Sequence, residues 1–267
     1  MPGPDPQSDL ALLTEAALAA GKIAARYWKN APRTWDKALD AGPVTEADLA
    51  IDAMLHDRLR AARPDYGWLS EESEDDTARL SCARLFVVDP IDGTRAFING
   101  SPTFSHSLAV VENGSVTAGV VYLPMLDRLF AASADGPATL NGEVITASRA
   151  KAVEGATLLA AKPNLEPQFW KRRPPAFERH IRSSLAYRLS LIGQGRFDAM
   201  ITFRPTWEWD VAAGSLIAAR AGATVTDAKG NPPRFNTAQA QLPGMIAAAP
   251  ALHAMILAQA EPFATPG

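Results

Sequence analysis

The apolar run Leu85-Phe86-Val87-Val88 ends abruptly in Asp89-Pro90-Ile91-Asp92-Gly93-Thr94. A short, continuous apolar stretch is the profile of a strand buried on both faces. Such a strand needs cover above and below, which restricts the chain to layered architectures. Two carboxylates then sit where the strand runs out. Left charged and unpaired in a buried position, each costs several kcal/mol. A hard divalent cation removes that cost, and Mg²⁺ takes oxygen ligands at about 2.0–2.1 Å. Pro90 stiffens the turn, and Gly93 permits a close backbone approach. Thr94 opens a short helical turn whose amides form an anion site. A metal site beside an anion site is the pairing that phosphoester hydrolysis needs. Taken alone, the same residues also make a tight turn with an Asp cap.

Three other acidic segments lie far away in sequence. They are Glu71-Glu72 in the loop-like stretch Trp68–Ser73, Trp209-Asp210, and Asp48 after Val44-Thr45. Each has an ordinary reading by itself. Glu71-Glu72, followed by Glu74, Asp75 and Asp76, fits a solvated acidic loop. Asp210 fits a helix N-cap, and Asp48 an acid in the first turn of a helix. Their joint occurrence is what points to a shared metal centre.

Around these segments the pattern alternates between helix and strand. A helical period runs from Asp9, as N-cap, through Leu13, Ala17, Ala24 and Trp28, and Pro32 ends it. A second helix follows Thr45, with Ile51, Leu55 and Leu59 on its apolar face, and Pro64 closes it. Asn113-Gly114 between two strand-like runs predicts a hairpin, and Asn141-Gly142 another turn. Residues 156–161, 199–203 and 224–226 read as strands, and Asp210 to Ala221 as a helix stopped by Gly222. The expected fold is α+β or α/β. The expected organisation is residues 1–150 carrying most of the acidic centre and 151–267 carrying Asp210, packed as one unit.

Of the 267 residues, 47% are hydrophobic and 21% charged, which excludes a disordered chain. Lys and Arg number 26 against 29 Asp and Glu, a net charge of −3. Bulk charge therefore does not draw this chain to nucleic acid or anionic membranes. The single cysteine, Cys82, reads as a filler and fits a reducing compartment. No apolar stretch is long enough to span a membrane, and the first residues lack the pattern of a signal peptide. These features set the expectation of a soluble cytoplasmic protein.

Asp89-Pro-Ile-Asp92-Gly-Thr94-Arg-Ala-Phe97 and Trp209-Asp210-Val-Ala-Ala-Gly214 together resemble the inositol monophosphatase family of Mg-dependent, lithium-sensitive phosphatases. Glu71-Glu72-Ser73, the stretch Pro43–Asp48 and Lys37 add to the resemblance, in matching order over roughly residues 10 to 250. The resemblance implies a layered αβαβα sandwich and two to three Mg²⁺ per active site. It implies that Glu71, Asp89 and the Ile91 carbonyl hold one ion, and that Asp89, Asp92 and Asp210 hold a second. Glu71 with waters would hold a weaker third. Asp48 and Thr94 would orient and deprotonate the attacking water, with Glu72 in a supporting catalytic role. The Gly93 and Thr94 amides would hold phosphate oxygens, with Asp92 and Asp210 also facing substrate. A homodimer, a small phosphorylated metabolite as partner, and no nucleic-acid or membrane partner are implied as well. Haloacid-dehalogenase-type enzymes place two aspartates two apart in D-x-D-G-T; Asp89 and Asp92 are three apart, and Glu71-Glu72 and Asp210 have no place in that scheme.

Within the resemblance, three features bear on substrate. Leu69-Ser70-Glu71-Glu72 is similar to the form in 3′(2′),5′-bisphosphate nucleotidases, where many inositol-type members have Gly before the acid pair. Thr202–Glu208 lacks the acid that grips inositol hydroxyls, and Glu208 stands too close to Asp210 to replace it. Residues 162–188 carry Lys162, Lys171, Arg172, Arg173, Arg179, Arg182 and Arg188, an excess of positive charge suited to a second phosphate or to a solvated basic face. Arg95 pulls instead toward histidinol-phosphate phosphatases. The favoured substrate is 3′-phosphoadenosine 5′-phosphate, with inositol 1-phosphate the alternative. Histidinol-phosphate phosphatase follows, and a non-catalytic phosphometabolite-binding protein comes last.

Overall fold

The computed structural model describes residues 5–37 and 42–261. Helix α1 (Pro6–Tyr27) leads to the hairpin β1 (Thr34–Asp36) and β2 (Pro43–Thr45), then to α2 (Glu46–Ala62). Next come β3 (Gly67–Ser70), β4 (Arg84–Asp92) and the short α3 (Thr94–Ile98). A meander follows: β5 (Ser105–Glu112), β6 (Ser115–Leu123), β7 (Arg128–Ser133), β8 (Thr139–Leu140) and β9 (Glu143–Val144). The rest of the chain is β10 (Thr157–Leu159), β11 (Glu178–His180), α4 (Leu185–Gly193), β12 (Ala199–Thr202), β13 (Thr206–Trp207) and α5 (Glu208–Arg220). It finishes with β14 (Thr224–Thr226), β15 (Gln241–Leu242), β16 (Met245–Ala248) and α6 (Pro250–Gln259).

Two sheets carry the architecture. The seven-stranded one runs β3-β4-β5-β6-β7-β8-β9, and the five-stranded one β11-β10-β12-β16-β14. Alternation along β4 sends its side chains to opposite faces. Phe86 and Val88 pack with Leu13 and Ala17 of α1 and Ile51 and Leu55 of α2. Leu85 and Val87 face the other way, toward Leu189 of α4, Val211 and Ile217 of α5, and Met200 and Ala247 of the second sheet. The far face of that sheet sets Leu158, Ile201 and Ile246 against Leu252 and Ile256 of α6. The layers therefore stack helix, sheet, helix, sheet, helix, which is the expected αβαβα sandwich. No described helix is long and apolar enough to cross a membrane.

Three local expectations need correction. β4 does not end at Val88 but continues through Asp92, with its register against β5 broken between Asp89 and Asp92. Pro90 has no N–H to give a ladder, so it falls inside that break. Helix α1 starts at Pro6 and is capped by Asp5, whose side chain accepts from the Ser8 amide at 2.6 Å. Asp9 is instead buried inside the helix, bonded to Arg63 at 3.0 Å and to the Tyr66 hydroxyl at 2.9 Å. Helix α5 starts at Glu208, so Asp210 lies within its first turn and does not cap it. The Asn113-Gly114 hairpin forms as expected, both residues having positive φ, 49° and 81°.

Candidate active site

Three segments meet at the broken end of β4. Glu71 follows β3, which is parallel to β4, and its amide donates to the Val88 carbonyl. Asp89 lies in β4 itself, and Asp210 in the first turn of α5, which packs on β4, β5 and β6. Glu71, Asp89 and Asp210 each present a carboxylate oxygen, and these atoms lie within 4.8 Å of one another.

Asp89 is 1% exposed, and neither of its carboxylate oxygens has a hydrogen-bond partner. Buried polar atoms are otherwise satisfied almost without exception, so an orphaned carboxylate demands an account. Burial, with Glu71, Asp92 and Asp210 nearby, drives its pKa well above the usual carboxylate value. Asp210 is raised in the same way by burial and by the fields of Asp92 and Glu71. An all-oxygen donor set crowded to this degree matches what a hard divalent cation requires. The residues present fit Mg²⁺.

Asp92 is held differently. Its Oδ2 accepts from Ser184 Oγ at 2.6 Å and from the Ala186 amide at 2.7 Å, at the start of α4. Burial raises its pKa to about 6 against the pull of those bonds. Asp92 is not part of the 4.8 Å cluster, although its field reaches Asp89 and Asp210.

Asp48 belongs to a capping box: Thr45 caps α2 while Asp48 Oδ2 accepts from the Thr45 amide at 2.9 Å. Its Oδ1 lies 3.3 Å from Thr94 Oγ1, which is also 3.1 Å from the Ile91 carbonyl. Burial lifts Asp48 to about 6. Gly93 adopts φ 98°, which its lack of a side chain permits. Its carbonyl accepts from the Ala96 and Phe97 amides. The Thr94 and Arg95 amides open that turn, where a helix leaves its donors free. A cavity of about 550 Å³, lined by Glu71, Gly93, Thr94, Arg95, Asn99 and Ser183 among others, faces them.

The Glu71-Glu72 loop is not simply solvated. Lys37 Nζ lies 2.7 Å from Glu71 Oε1 and 2.7 Å from Glu72 Oε1. Glu72 is nearly covered, and burial pushes it up to about 7. Asp52, in α2, accepts from Ser70 Oγ at 2.5 Å and Ser73 Oγ at 2.6 Å, and so holds the loop from behind. Sequence reading missed Asp52 and Ser184, because a lone Asp or Ser inside a helix or at its start looks like any other. Lys171, in turn, packs on α6, with Nζ 3.0 Å from the Ala258 carbonyl, and does not line the 550 Å³ cavity. Among the basic residues between 162 and 188, Arg188 carries a charge that feels both Asp92 and Asp210, while also feeling Arg204. Its Nε donates to the Arg182 carbonyl at 2.6 Å.

A layered α/β scaffold that gathers carboxylates beside an open cavity defines a class, the divalent-metal hydrolases of phosphate esters. Comparison with known proteins narrows it. The model of the inositol monophosphatase family matches residues 5–263, and the chain belongs to that family. It is a phosphomonoester hydrolase. A fructose-1,6-bisphosphatase/inositol-1-monophosphatase of Thermotoga maritima is 35% identical over 214 residues, covering 79% of this chain and 81% of that protein. The 3′(2′),5′-bisphosphate nucleotidase CysQ of Escherichia coli is 30% identical over 196 residues, covering 72% and 79%. A solved Thermotoga maritima IMPase aligns with a TM-score of 0.78 at 30% identity, covering 94% of this chain and 95% of that one.

Proposed function

We propose that this phosphatase removes a phosphate from 3′(2′),5′-bisphosphate nucleotides such as 3′-phosphoadenosine 5′-phosphate. The orphaned carboxylate of Asp89 inside the Glu71–Asp210 cluster carries the catalytic part of the reading. Glu71, Asp89, the Ile91 carbonyl, Asp92 and Asp210 would hold two to three Mg²⁺. When bound, Mg²⁺ neutralises this cluster, makes water more acidic and offsets charge on the phosphate. The Gly93 and Thr94 amides take phosphate oxygens, while Asp92 and Asp210 border the leaving group. Thr94 Oγ1 orients the attacking water and passes its proton to Asp48 Oδ1, 3.3 Å away. Glu72 keeps Lys37 in place beside Glu71. The enzyme works in the cytoplasm, as a homodimer.

The substrate choice rests on the charge around the leaving group. Glu208 is fully buried and bonded to the 236–237 loop, so it offers nothing to a sugar hydroxyl. Arg188 supplies positive charge beside Asp92 and Asp210, which suits a second phosphate. The higher identity to the Thermotoga protein favours inositol 1-phosphate as the second reading.

Side-by-side kcat/KM values with Mg²⁺, on 3′-phosphoadenosine 5′-phosphate, inositol 1-phosphate and histidinol phosphate, test the choice. The bisphosphate should lead, Li⁺ should inhibit, and Arg188→Gln should raise KM for the bisphosphate more than for a monophosphate. A lead for inositol 1-phosphate would transfer the assignment to the second reading. Absence of metal-dependent turnover on every phosphomonoester would leave a binding protein.

A further inference from the structure

Glu71 and Asp210 meet at the cluster although one sits on an irregular loop and the other on a helix. The far side of both segments is joined by a chain of partly buried polar contacts. Arg79, just beyond the Glu71 loop, is 2% exposed. Its Nε and Nη2 grip Asp75 Oδ1 and Oδ2 at 2.6 and 2.8 Å, a two-pronged pair that pins the end of the loop. Its Nη1 donates to Asn236 Oδ1 at 2.7 Å, and its Nη2 to the Thr237 carbonyl at 3.0 Å. Asn236 answers with its side-chain amide, 3.1 Å from the Arg79 carbonyl.

The same two residues are held from the other side by Glu208, the first residue of α5. Glu208 Oε2 accepts from the Asn236 amide at 2.6 Å. Oε1 accepts from the Thr237 amide at 2.8 Å and from Thr237 Oγ1 at 2.7 Å. Helix α5 has no side-chain cap at Trp207, and this buried carboxylate ties its first turn to the 236–237 loop, two residues before Asp210, alongside the bond from the Glu208 amide to the Ala240 carbonyl. Arg79 and Glu208 attract one another but share no hydrogen bond, and both clasp the same two-residue loop, a costly way to fasten a surface connection. They are well suited to holding two segments at a set separation.

We propose that Asp75, Arg79, Asn236-Thr237 and Glu208 form a strap that sets the separation of Glu71 and Asp210, and through it the affinity of the site for divalent metal. Its members are positioning residues and touch neither metal nor substrate. The inference rests on the metal-centre reading above. Groups behind metal ligands typically change metal affinity by about 10- to 100-fold when removed. Because the links act in series, breaking a second one after the first should change little more.

Mg²⁺ titration calorimetry on the wild type, Asp75→Asn, Glu208→Gln and the double variant tests this, with circular dichroism and metal-free melting as fold controls. Each single variant should bind Mg²⁺ about tenfold more weakly. The double variant should lie within about twofold of the weaker single. If Glu208→Gln fails to fold, Asp75→Asn still decides, because Asp75 is a loop residue whose side chain is 38% exposed. Unchanged Mg²⁺ affinity in a folded variant overturns the strap, as do losses that add in the double variant, even if melting temperatures fall. No Mg²⁺ binding by the wild type would overturn the metal-centre reading itself, and the strap with it.

Discussion

At the scale of single residues, Asp89 concentrates the tension in this molecule. It is buried, unpartnered and flanked by other carboxylates, so its charge opposes the fold until a cation arrives. Asp89→Asn keeps the shape and removes the charge. Turnover should drop by about a hundred- to a thousandfold or more, since removing one preorganised electrostatic group commonly has effects of that order. The metal-free melting temperature should meanwhile hold or rise. Added Mg²⁺ should stabilise the wild type through binding and leave the variant unmoved. A phosphate-release assay and a melting curve with and without Mg²⁺ check both halves. Activity within a few-fold of wild type would remove Asp89 from the metal site.

At the scale of elements, the crossing of α4 and α5 brings the two helices that manage acids into close contact. α4 holds Asp92 at its start, and α5 carries Asp210. Gly214 makes the approach possible: a Cβ there would meet Leu189 Cβ at 2.6 Å and the Ala186 carbonyl at 3.0 Å. Gly214→Ala should therefore cost about 1–3 kcal/mol through overpacking. That corresponds to a fall of roughly 2–10 °C in melting temperature for a chain of this size. Activity should fall too, because Ala186 also donates to Asp92. A melting temperature equal to wild type would mean that the helices separate freely. Much at this scale was legible beforehand. The buried run before Asp89, the Asn-Gly hairpin and Gly222 after α5 are local signals that survive packing. The starts of α1 and α5 were misplaced because Asp serves equally as a cap, a buried ion partner or a ligand, and only tertiary neighbours decide which.

For the whole molecule, stability should carry a pH signature from His106. This imidazole is fully buried in β5, with Nδ1 against the Pro90 carbonyl and Nε2 without a partner. A carbonyl only accepts, so Nδ1 carries the proton, and a second proton on Nε2 would be an unpaired buried charge. Burial lowers its pKa from 6.5 to about 4. Below pH 6.5 the unfolded chain takes up this proton while the folded chain refuses it until about pH 4. The contribution is thus intact above 6.5, is lost progressively between 6.5 and about 4, and is constant below that. At ~1.4 kcal/mol per pKa unit, the loss totals about 3 kcal/mol. Unfolding free energies of metal-free wild type and His106→Asn, compared across that range, should converge by about this amount. A pH-independent difference would contradict the buried neutral ring. Acids raised by burial titrate in both proteins and cancel in the comparison.

Glu71, Asp89 and Asp210, separated widely in sequence, come together in one acidic cluster that was legible beforehand, because each stands in a short contiguous motif. What stayed hidden were the groups that aim those acids: Asp52, Ser184, Arg79 and Glu208. Each acts through side-chain contacts with residues distant in sequence, and such contacts leave no periodic or local trace.

The α4–α5 layer lies between the two sheets, sealed by apolar side chains from both. From this innermost stratum α5 carries Asp210 into the acidic cluster and α4 holds Asp92 beside it, while Lys37 and the Glu71 loop approach from the rim. Chelation should therefore empty the vessel without cracking it: the inner wall stays frozen, and only the lip slackens.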